Sequence, residues 1–441
     1  MMNPISMVEE LRWRGLLHQL TDETLAQKLQ AESFTLYCGF DPTADSLAAH
    51  HLLQLLNLER FQKAGHRPIA LVGGGTGFIG DPSGKSEERQ LLTPEILDRN
   101  VAGLKSQMER FLDFSPGNFQ AKLVNNADWL CGMNLITYLR EVGKHFTVNV
   151  MMEKESVRKR LEDRSQGISY TEFSYMLLQA YDFLHLFREH GCKLQIGGSD
   201  QYGNITAGID LIRRKRPESD PVEKFHAYGL TVPLITDSAG EKIGKTTKGA
   251  LWLDPNRTSP YQFYQYWINV TDDDALKYLR YFTDLKRDEV ESLEAAHKTD
   301  PAKRIAQKKL AALITEKVHG ATERQNAENA ASALFSGGSG AGIETLDEKA
   351  LLELFKEAPH SSISKSRIEG EGSMLIDLMV EAAKLWPSRG EAKRSIQGGS
   401  ANLNNVKITD LAKKVGSADL LHGKYLLLRK GKKDYHLLML E

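Results

Sequence analysis

The stretch 35–52 brings together Tyr37, Cys38, Gly39, Asp41, Thr43, His50 and His51, residue types able to handle phosphate and ribose. Its apolar start predicts a buried strand over 34–40 that breaks at Gly39 and Pro42 and launches a helix near Ser46. Small residues, hydroxyls and histidines between a strand edge and a helix N-terminus suit an anion, because free backbone N–H groups and the helix dipole both face it. A second stretch, Lys242-Ile-Gly-Lys245-Thr246, offers two ammonium groups, a hydroxyl and a hinge glycine between Asp237-Ser-Ala-Gly240 and Lys248-Gly249. A mobile loop of that make-up can close over a triphosphate and neutralise charge developing in a transition state. Taken alone, it reads equally as a basic surface turn.

Two further stretches suit the rest of a ligand. The run 171–183 is strongly helical, and Tyr175, Gln179 and Asp182 fall at offsets of four and three, so they share one face. Such a polar stripe is costly to bury unless something polar occupies the space; on an isolated helix it would be a solvated face. The block Gln195-Ile-Gly197-Gly198-Ser199-Asp200-Gln201 puts two glycines and an acid directly after a strand, where open parallel sheets bind ligands. Close approach at Gly198 and a carboxylate at Asp200 suit a ribose diol and adenine. Gln195 is open to a structural or a pocket-shaping role.

Other glycine motifs fail on spacing. Gly75-Thr-Gly77-Phe-Ile-Gly80 matches a dinucleotide fingerprint, but the acidic residue due about 20 positions on falls in a helix opened by Thr93-Pro94-Glu95. The P-loop-like runs 80–86 and 240–246 are one residue short, their required first glycines falling on Ile79 and Ala239.

The elements that must position these side chains follow from pattern. A chain of 441 residues requires two or three domains, and 41% hydrophobic with 26% charged residues is a soluble globular composition. No run reaches the roughly 18 apolar residues of a membrane helix, and 1–10 lack the apolar core of a signal peptide. Three scattered cysteines fit neither a disulfide framework nor a zinc site, so a reduced, cytoplasmic protein without membrane attachment is expected. Strands over 34–40, 68–72, 194–196 and 230–235 alternating with helices predict a parallel sheet in 1–255. Helices dominate 256–345; one begins at Asp300-Pro301, turns Leu310, Leu313, Ile314 and Val318 to one face, and stops at Gly320. A linker over 346–372, preceded by the Gly/Ser-rich 336–342, leads to a basic domain over 373–441, with a helix over 374–386 and strands near 425–428 and 435–440. From 389 onward eleven Lys and Arg face five Asp and Glu, a local +6 on a chain of net charge −1. That is an electrostatic footprint for nucleic acid, or a solvated basic face.

The stretches 35–52, 65–74, 142–149, 171–183, 194–204, 242–246, 258–269 and 429–433, in this order, resemble class I aminoacyl-tRNA synthetases of the bacterial tyrosyl family across nearly the whole chain. The resemblance implies an α/β fold: a Rossmann-like parallel-sheet catalytic domain, an α-helical anticodon-binding domain and a small α+β RNA-binding domain. It implies a homodimer that uses ATP and Mg2+, the latter without a dedicated protein site, to join L-tyrosine to its tRNA. Tyrosine's carboxylate attacks the α-phosphate, pyrophosphate leaves, and the adenylate passes tyrosine to the terminal ribose.

By the same resemblance Tyr37 and Asp182 bond the phenol, Tyr175, Gln179 and Asp81 hold the ammonium group, and Gln201 lies near the carboxyl. Cys38, Gly39, Asp41, His51, Gly198, Asp200 and Lys245 contact ATP, with Asp200 on the ribose; Cys38 is equally a packing residue. Thr43, Lys85, Arg89, Lys242, Lys245 and Thr246 stabilise the departing charge, with His51 on the ribose and phosphate side. Lys85 and Arg89 fall in a charged segment that also reads as a solvated loop.

One departure stands out. Where the family usually reads His-Ile-Gly-His, this chain reads Ala48-Ala49-His50-His51. Losing one preorganised donor costs about 2.7–4 kcal/mol, against about 8–23 kcal/mol of total acceleration, so slowing rather than abolition is expected. On a regular helix His50 points away from the position that Ala48 leaves, and it removes a glycine that permits close approach of adenine. Two rivals follow: an activation-impaired RNA-binding protein that kept the fold, and an enzyme for another amino acid such as tryptophan, against which Tyr37 with Asp182 speaks.

Overall fold

The computed structural model describes residues 6–83, 92–154, 157–158, 161, 167–238, 240, 243–246, 249–335, 343–344, 346–356, 358–431 and 434–441. The chain forms two compact units, Met1–Arg257 with Thr271–Lys298, and Thr258–Val270 with Thr299–Glu441.

The first unit is built on six strands, β1 (Gln19–Leu20), β2 (Thr35–Phe40), β3 (Arg67–Val72), β4 (Lys122–Asn125), β5 (Cys192–Gly198) and β6 (Tyr228–Val232), in the order β1-β6-β5-β2-β3-β4. All neighbours are parallel except β1 on β6. β6 stops short of the expected 230–235 because Pro233 has no N–H to give the ladder. The edge strands β1 and β4 escape sequence reading: the first is two residues long and the second only half-buried, so neither shows a clean apolar signal.

From β2 the chain passes through the Ala49–Lys63 helix to β3 on one side, while β5 lies on the other. Strand order therefore reverses at β2, which opens a crevice at the carboxyl ends of β2 and β5. The Tyr170–His190 helix packs over this face, capped by Ser169, which accepts Glu172 N–H, and ended by Gly191 in left-handed conformation. Its Met176, Ala180 and Phe183 share a core with Tyr37, Leu71, Leu211 and Ile212.

The helices Asp272–Phe282 and Arg287–Thr299 pack with the sheet unit rather than with the helices that precede and follow them. The tie is polar: Arg14 donates to the carbonyls of Arg280, Thr283 and Leu285, and Arg60 to those of Tyr281 and Thr283. Two cations thus meet the negative end of the Asp272–Phe282 helix. Burial, with Arg14 nearby, lowers the Arg60 guanidinium to about 10.

The second unit holds the helices Pro260–Ile268, Ile305–His319 and Ala321–Phe335. The helix expected at Asp300 starts at Ile305, because Pro301–Lys303 forms a separate turn and Arg304 adopts φ 51°. Leu310, Ile314 and Val318 are buried, Leu313 is half-buried, and Gly320 ends the helix.

The segment read as a linker is largely folded: it carries the Glu348–Leu354 helix and a strand, His360–Ile363, parallel to Asp434–Leu440. The polar His-Ser-Ser-Ile sequence hides that strand. The segment 336–342 lies outside the described residues. The terminal sheet runs Val406–Lys407, Ala401–Leu403, Tyr425–Lys430, Asp434–Leu440, His360–Ile363. Leu426, Leu428 and Leu438 from this sheet pack with Trp386 and Leu375. The helix expected over 374–386 shrinks to Leu375–Asp377 and one π turn, Leu378–Ala382. Among the described residues no helix is long and apolar enough to cross a membrane.

Candidate active site

Tyr37 stands on β2 with 1% of its surface exposed, and its phenolic oxygen has no hydrogen-bond partner among the described residues. Burial, reinforced by Asp182, pushes the Tyr37 phenol well above its usual value. Asp182, 2% exposed, accepts from Asn126 Nδ2 at 2.9 Å and from Trp129 Nε1 at 2.7 Å. Trp129 in turn stacks on His185, centroids 4.2 Å apart. Burial pushes the Asp182 carboxyl up to about 7, Asp41 adds to the rise, and the Asn126 and Trp129 bonds oppose it.

Asn126 is the hub of this wall. Its Oδ1 accepts Gly75 N–H at 2.7 Å and its Nδ2 also donates to Thr76 Oγ1 at 3.0 Å, so one amide ties the turn after β3 to Asp182. A Cβ at Gly73 would lie 2.5 Å from Thr76 Oγ1 and 2.7 Å from Asp41 Oδ1, so any larger residue there would push both side chains out of place.

A second polar group lies one and two helical turns back. Tyr175 OH donates to Asp41 through long contacts of 3.4 and 3.5 Å. Gln179 Nε2 donates to Gln201 Oε1 at 3.2 Å, Gln201 Nε2 donates to Asp81 Oδ2 at 2.7 Å, and Asn204 Nδ2 donates to Gln179 Oε1 at 3.1 Å. Asp41, Asp81, Tyr175, Gln179, Asp182 and Gln201, far apart in sequence, are thus brought together along the Tyr170–His190 helix, with Tyr37 packed against the same helix. The Asp41 carboxylate sits beside Tyr175.

The neighbouring rim holds the remaining described candidates. Gly39 is the one exposed position of β2, and Thr43 is exposed just beyond it, its N–H donating to Asp41 O. Cys38 is buried, and burial raises its thiol to about 12. A Cβ at Gly198 would lie 2.4 Å from Asp200 Oδ1, so a larger residue there would have to displace the Asp200 carboxylate. Gln195 is 3% exposed with its Oε1 unpartnered among the described residues.

The helix expected near Ser46 begins at Ala49 instead. Ser46 is buried as a tie, accepting from Gln107 Nε2 and Asp254 N–H, while Ala48 stays extended at φ −110°, ψ 169° and bridges Trp252. Ala48 is 1% exposed, and its N–H is accepted by His51 Nδ1 at 3.1 Å. That bond places the ring proton of a neutral His51 on Nε2. The His50 ring packs on His51 at 3.9 Å.

The lysine-bearing stretch meets this helix start: Ala49 N–H donates to Leu251 O and Leu251 N–H to Gly244 O. Lys245–Thr246 pairs with Gly249–Ala250 through its backbone, and nothing further of the two side chains is described. Lys85, Arg89 and Lys242 lie outside the described residues. Among the described residues no group of three His, Cys, Asp or Glu is placed to hold a metal ion.

Sequence reasoning missed Asn126, Trp129 and Thr76. Asn126 follows β4, the strand with no clear pattern, and its role depends on contacts fifty or more positions away. Asn204, which closes the 194–204 stretch, carries no signal of its own in the sequence, because its bond to Gln179 exists only in the fold.

The chain matches the family "tRNA synthetases class I (W and Y)" over residues 29–336 and the "Tyrosine--tRNA ligase SYY-like C-terminal domain" over 351–438. It is 50% identical over 435 residues to a tyrosine–tRNA ligase of Roseiflexus castenholzii, which covers 99% of each chain. It is 51% identical over 437 residues to one of Rhodopirellula baltica, covering 99% of this chain and 97% of that one. A C-terminally truncated mitochondrial tyrosyl-tRNA synthetase of Aspergillus nidulans superposes with TM-score 0.67 at 30% identity, over 75% of this chain and 94% of the other. With its parallel sheet, polar crevice and terminal domain, the chain belongs to the class I tRNA synthetases of the W and Y group.

Proposed function

We propose that the chain is a tyrosine–tRNA ligase, activating L-tyrosine with ATP to tyrosyl-adenylate and pyrophosphate and then esterifying the 3'-terminal ribose of its tRNA. The observation that carries the reading is the buried Tyr37 hydroxyl, without a partner among the described residues and close enough to Asp182 to feel its charge, a pairing that suits the hydroxyl of a second phenol. Tyr37 and Asp182 bond the substrate hydroxyl. Tyr175, Gln179 and Asp81 hold the ammonium group, with Asp41 orienting Tyr175, and Gln201 lies by the carboxyl. A site that hydrogen-bonds a substrate hydroxyl rejects the analogue lacking it by about 10⁴ to 10⁵, tyrosine enzymes against phenylalanine being the known case.

The carboxylate held in this crevice attacks the α-phosphate in line, so most of the catalysis is positioning and charge stabilisation. Gly39, Gly198 and Asp200 accommodate adenosine, with Cys38 packed beneath. His51 Nε2–H and Thr43 serve the triphosphate side, the family resemblance adds Lys85, Arg89, Lys242, Lys245 and Thr246 as the groups that stabilise the departing charge, and Mg2+ arrives with ATP as part of the substrate. The Pro260–Ile268, Ile305–His319 and Ala321–Phe335 helices and the basic terminal sheet serve the tRNA. A reduced cytoplasm suits three free cysteines, two of them buried. Exposed Leu135, Ile136 and Val148 support a homodimer.

The rival of an activation-impaired RNA-binding protein, raised by Ala48, finds no support in relatives named as ligases at about half identity over the full chain. Tyrosine-stimulated ATP–pyrophosphate exchange, run against a panel of free amino acids, tests the proposal. Exchange with tyrosine alone is the expected outcome; no exchange, or a preference for tryptophan, defeats it.

A further inference from the structure

The Asp272–Phe282 helix lies outside the set of tyrosine-side residues described above, yet both its ends grip elements on the nucleotide side. At its N-terminal end Asp274, 3% exposed, accepts Ser238 N–H at 3.1 Å and Thr271 Oγ1–H at 2.9 Å. Lys277 Nζ donates to Thr236 O at 2.7 Å and pairs with Asp274 at 3.1 Å, and Tyr278 OH donates to the same carbonyl at 3.3 Å. Burial works against the Asp274 carboxylate, but the bonds from Ser238, Thr271 and Lys277 outweigh it and hold its pKa below the ordinary value.

Thr236 and Ser238 form the stem between β6 and the Lys245–Thr246 strand. From this stem the contacts run without a gap: Ile243 N–H to Ile235 O at 3.1 Å, Leu251 N–H to Gly244 O at 2.7 Å, Ala49 N–H to Leu251 O at 2.8 Å. Ala49 opens the helix that carries His50 and His51. Further along that same helix Arg60 reaches the carbonyls of Tyr281 and Thr283, at the far end of Asp272–Phe282. The contacts close into a ring in which the helix start, the lysine-bearing strand and the Asp272–Phe282 helix fix one another. On the Asp274 side the stem is held by side chains, those of Asp274, Lys277 and Tyr278, whereas the Ile243, Leu251 and Ala49 links run through backbone pairing.

We propose that Asp274 is a positioning residue for adenylate formation, fixing the 236–238 stem and through it the Lys245–Thr246 strand against the N-terminus of the Ala49–Lys63 helix. The inference rests on the activation reading above. Since Asp274 touches nothing in the tyrosine crevice, its loss separates the two halves of the site.

The test uses the full chain and the variants D274A, D274N and K277M, with tyrosine-dependent ATP–pyrophosphate exchange, tyrosine binding by equilibrium dialysis and thermal melting. D274A is expected to lower kcat roughly tenfold to a hundredfold, the scale of a misplaced catalytic group, with tyrosine affinity kept. D274N retains an acceptor oxygen for Ser238 N–H and restores part of the rate. K277M, at a partly exposed side chain, lowers kcat in the same direction by less, which keeps the proposal testable if D274A fails to fold. Unchanged kcat in D274A and K277M overturns it, as does tyrosine affinity falling in step with kcat. Failure of the unaltered chain to exchange pyrophosphate would instead defeat the activation reading.

Discussion

Tyr37 and Gln195 are register partners on the adjacent parallel strands β2 and β5, and each ends in a buried oxygen without a hydrogen-bond partner among the described residues. In-register neighbours in a parallel pair point to the same face, so a donor hydroxyl and an acceptor amide oxygen stand on one wall under the Tyr170–His190 helix. An unpaired buried polar group costs about 1–3 kcal/mol. Two on one wall mark a place whose polar partner comes from outside the chain.

Replacing Tyr37 by phenylalanine therefore separates stability from binding. The free protein loses a hydroxyl that bonds to nothing, so its Tm is expected to stay level or rise. Tyrosine binding weakens by about 0.5–1.5 kcal/mol, the worth of one neutral hydrogen bond, and the preference over phenylalanine narrows. Thermal melts beside pyrophosphate exchange with both amino acids measure this. A Tm drop with unchanged tyrosine affinity would make the hydroxyl structural.

Asp182 predicts a pH dependence of tyrosine affinity. Its folded pKa of about 7 lies above the ordinary 3.8, because burial disfavours the charge more than Asn126 and Trp129 favour it. An acid with a raised folded pKa holds its proton longer in the folded than in the unfolded state. Its contribution to stability is therefore full below 3.8 and is lost as pH climbs to about 7. Binding runs the other way if the phenol donates to the carboxylate: tyrosine affinity rises with pH and levels off above the midpoint near 7. Asn126→Ala removes one of the bonds that oppose the shift, so the midpoint moves upward, and Asp182→Asn flattens the profile. Equilibrium dialysis across the pH range decides it, and a profile unaffected by Asp182→Asn counts against the role.

Much of this site could be read from the chain itself. The stripe of Tyr175, Gln179 and Asp182 obeys helical spacing, and β2 and β5 announce themselves by apolar runs that end in glycine, so the crevice between them was legible. Asn126 was not, since its partners Gly75, Thr76 and Asp182 are brought to it only by the sheet order. Nor was the placing of Asp272–Phe282 with the sheet unit: Arg14 and Arg60 bind backbone carbonyls, which leave no side-chain signature. The helix start moved from Ser46 to Ala49 for a similar reason. Leu47 and Ala49 exchange backbone bonds with 251–253, which keeps the intervening residues extended.

Gly244 offers a prediction about the lysine-bearing stretch. It adopts φ 79°, and a Cβ there would lie 3.1 Å from Ala49 Cβ. An alanine must take up the left-handed conformation, at about 1–2 kcal/mol, and press on the helix start. Gly244→Ala should lower Tm modestly and slow adenylate formation, while tyrosine affinity stays unchanged because the crevice is untouched. A tyrosine titration and single-turnover kinetics test this; full activity would mean that Gly244 and Ala49 separate during turnover.

The last prediction concerns the proposed homodimer. Leu135 is 67% exposed, Ile136 62%, Val148 58% and Tyr170 76%, on the helices Leu135–Glu141 and Val148–Glu153 and at the start of Tyr170–His190. Exposed side chains this large and apolar mark an interaction surface when they gather on neighbouring elements. A homodimer has a ready use for such a surface, and the crevice helix Tyr170–His190 would begin at the interface. Replacing Leu135 and Ile136 by glutamate puts two charges per protomer against apolar surface, so dimerisation is expected to weaken by about a hundredfold or more. Sedimentation velocity over a concentration series reads the change. Tm at high dilution should match that of the unaltered chain, because these side chains support no core within one copy. A monomer before and after the substitutions would remove the dimer from the picture.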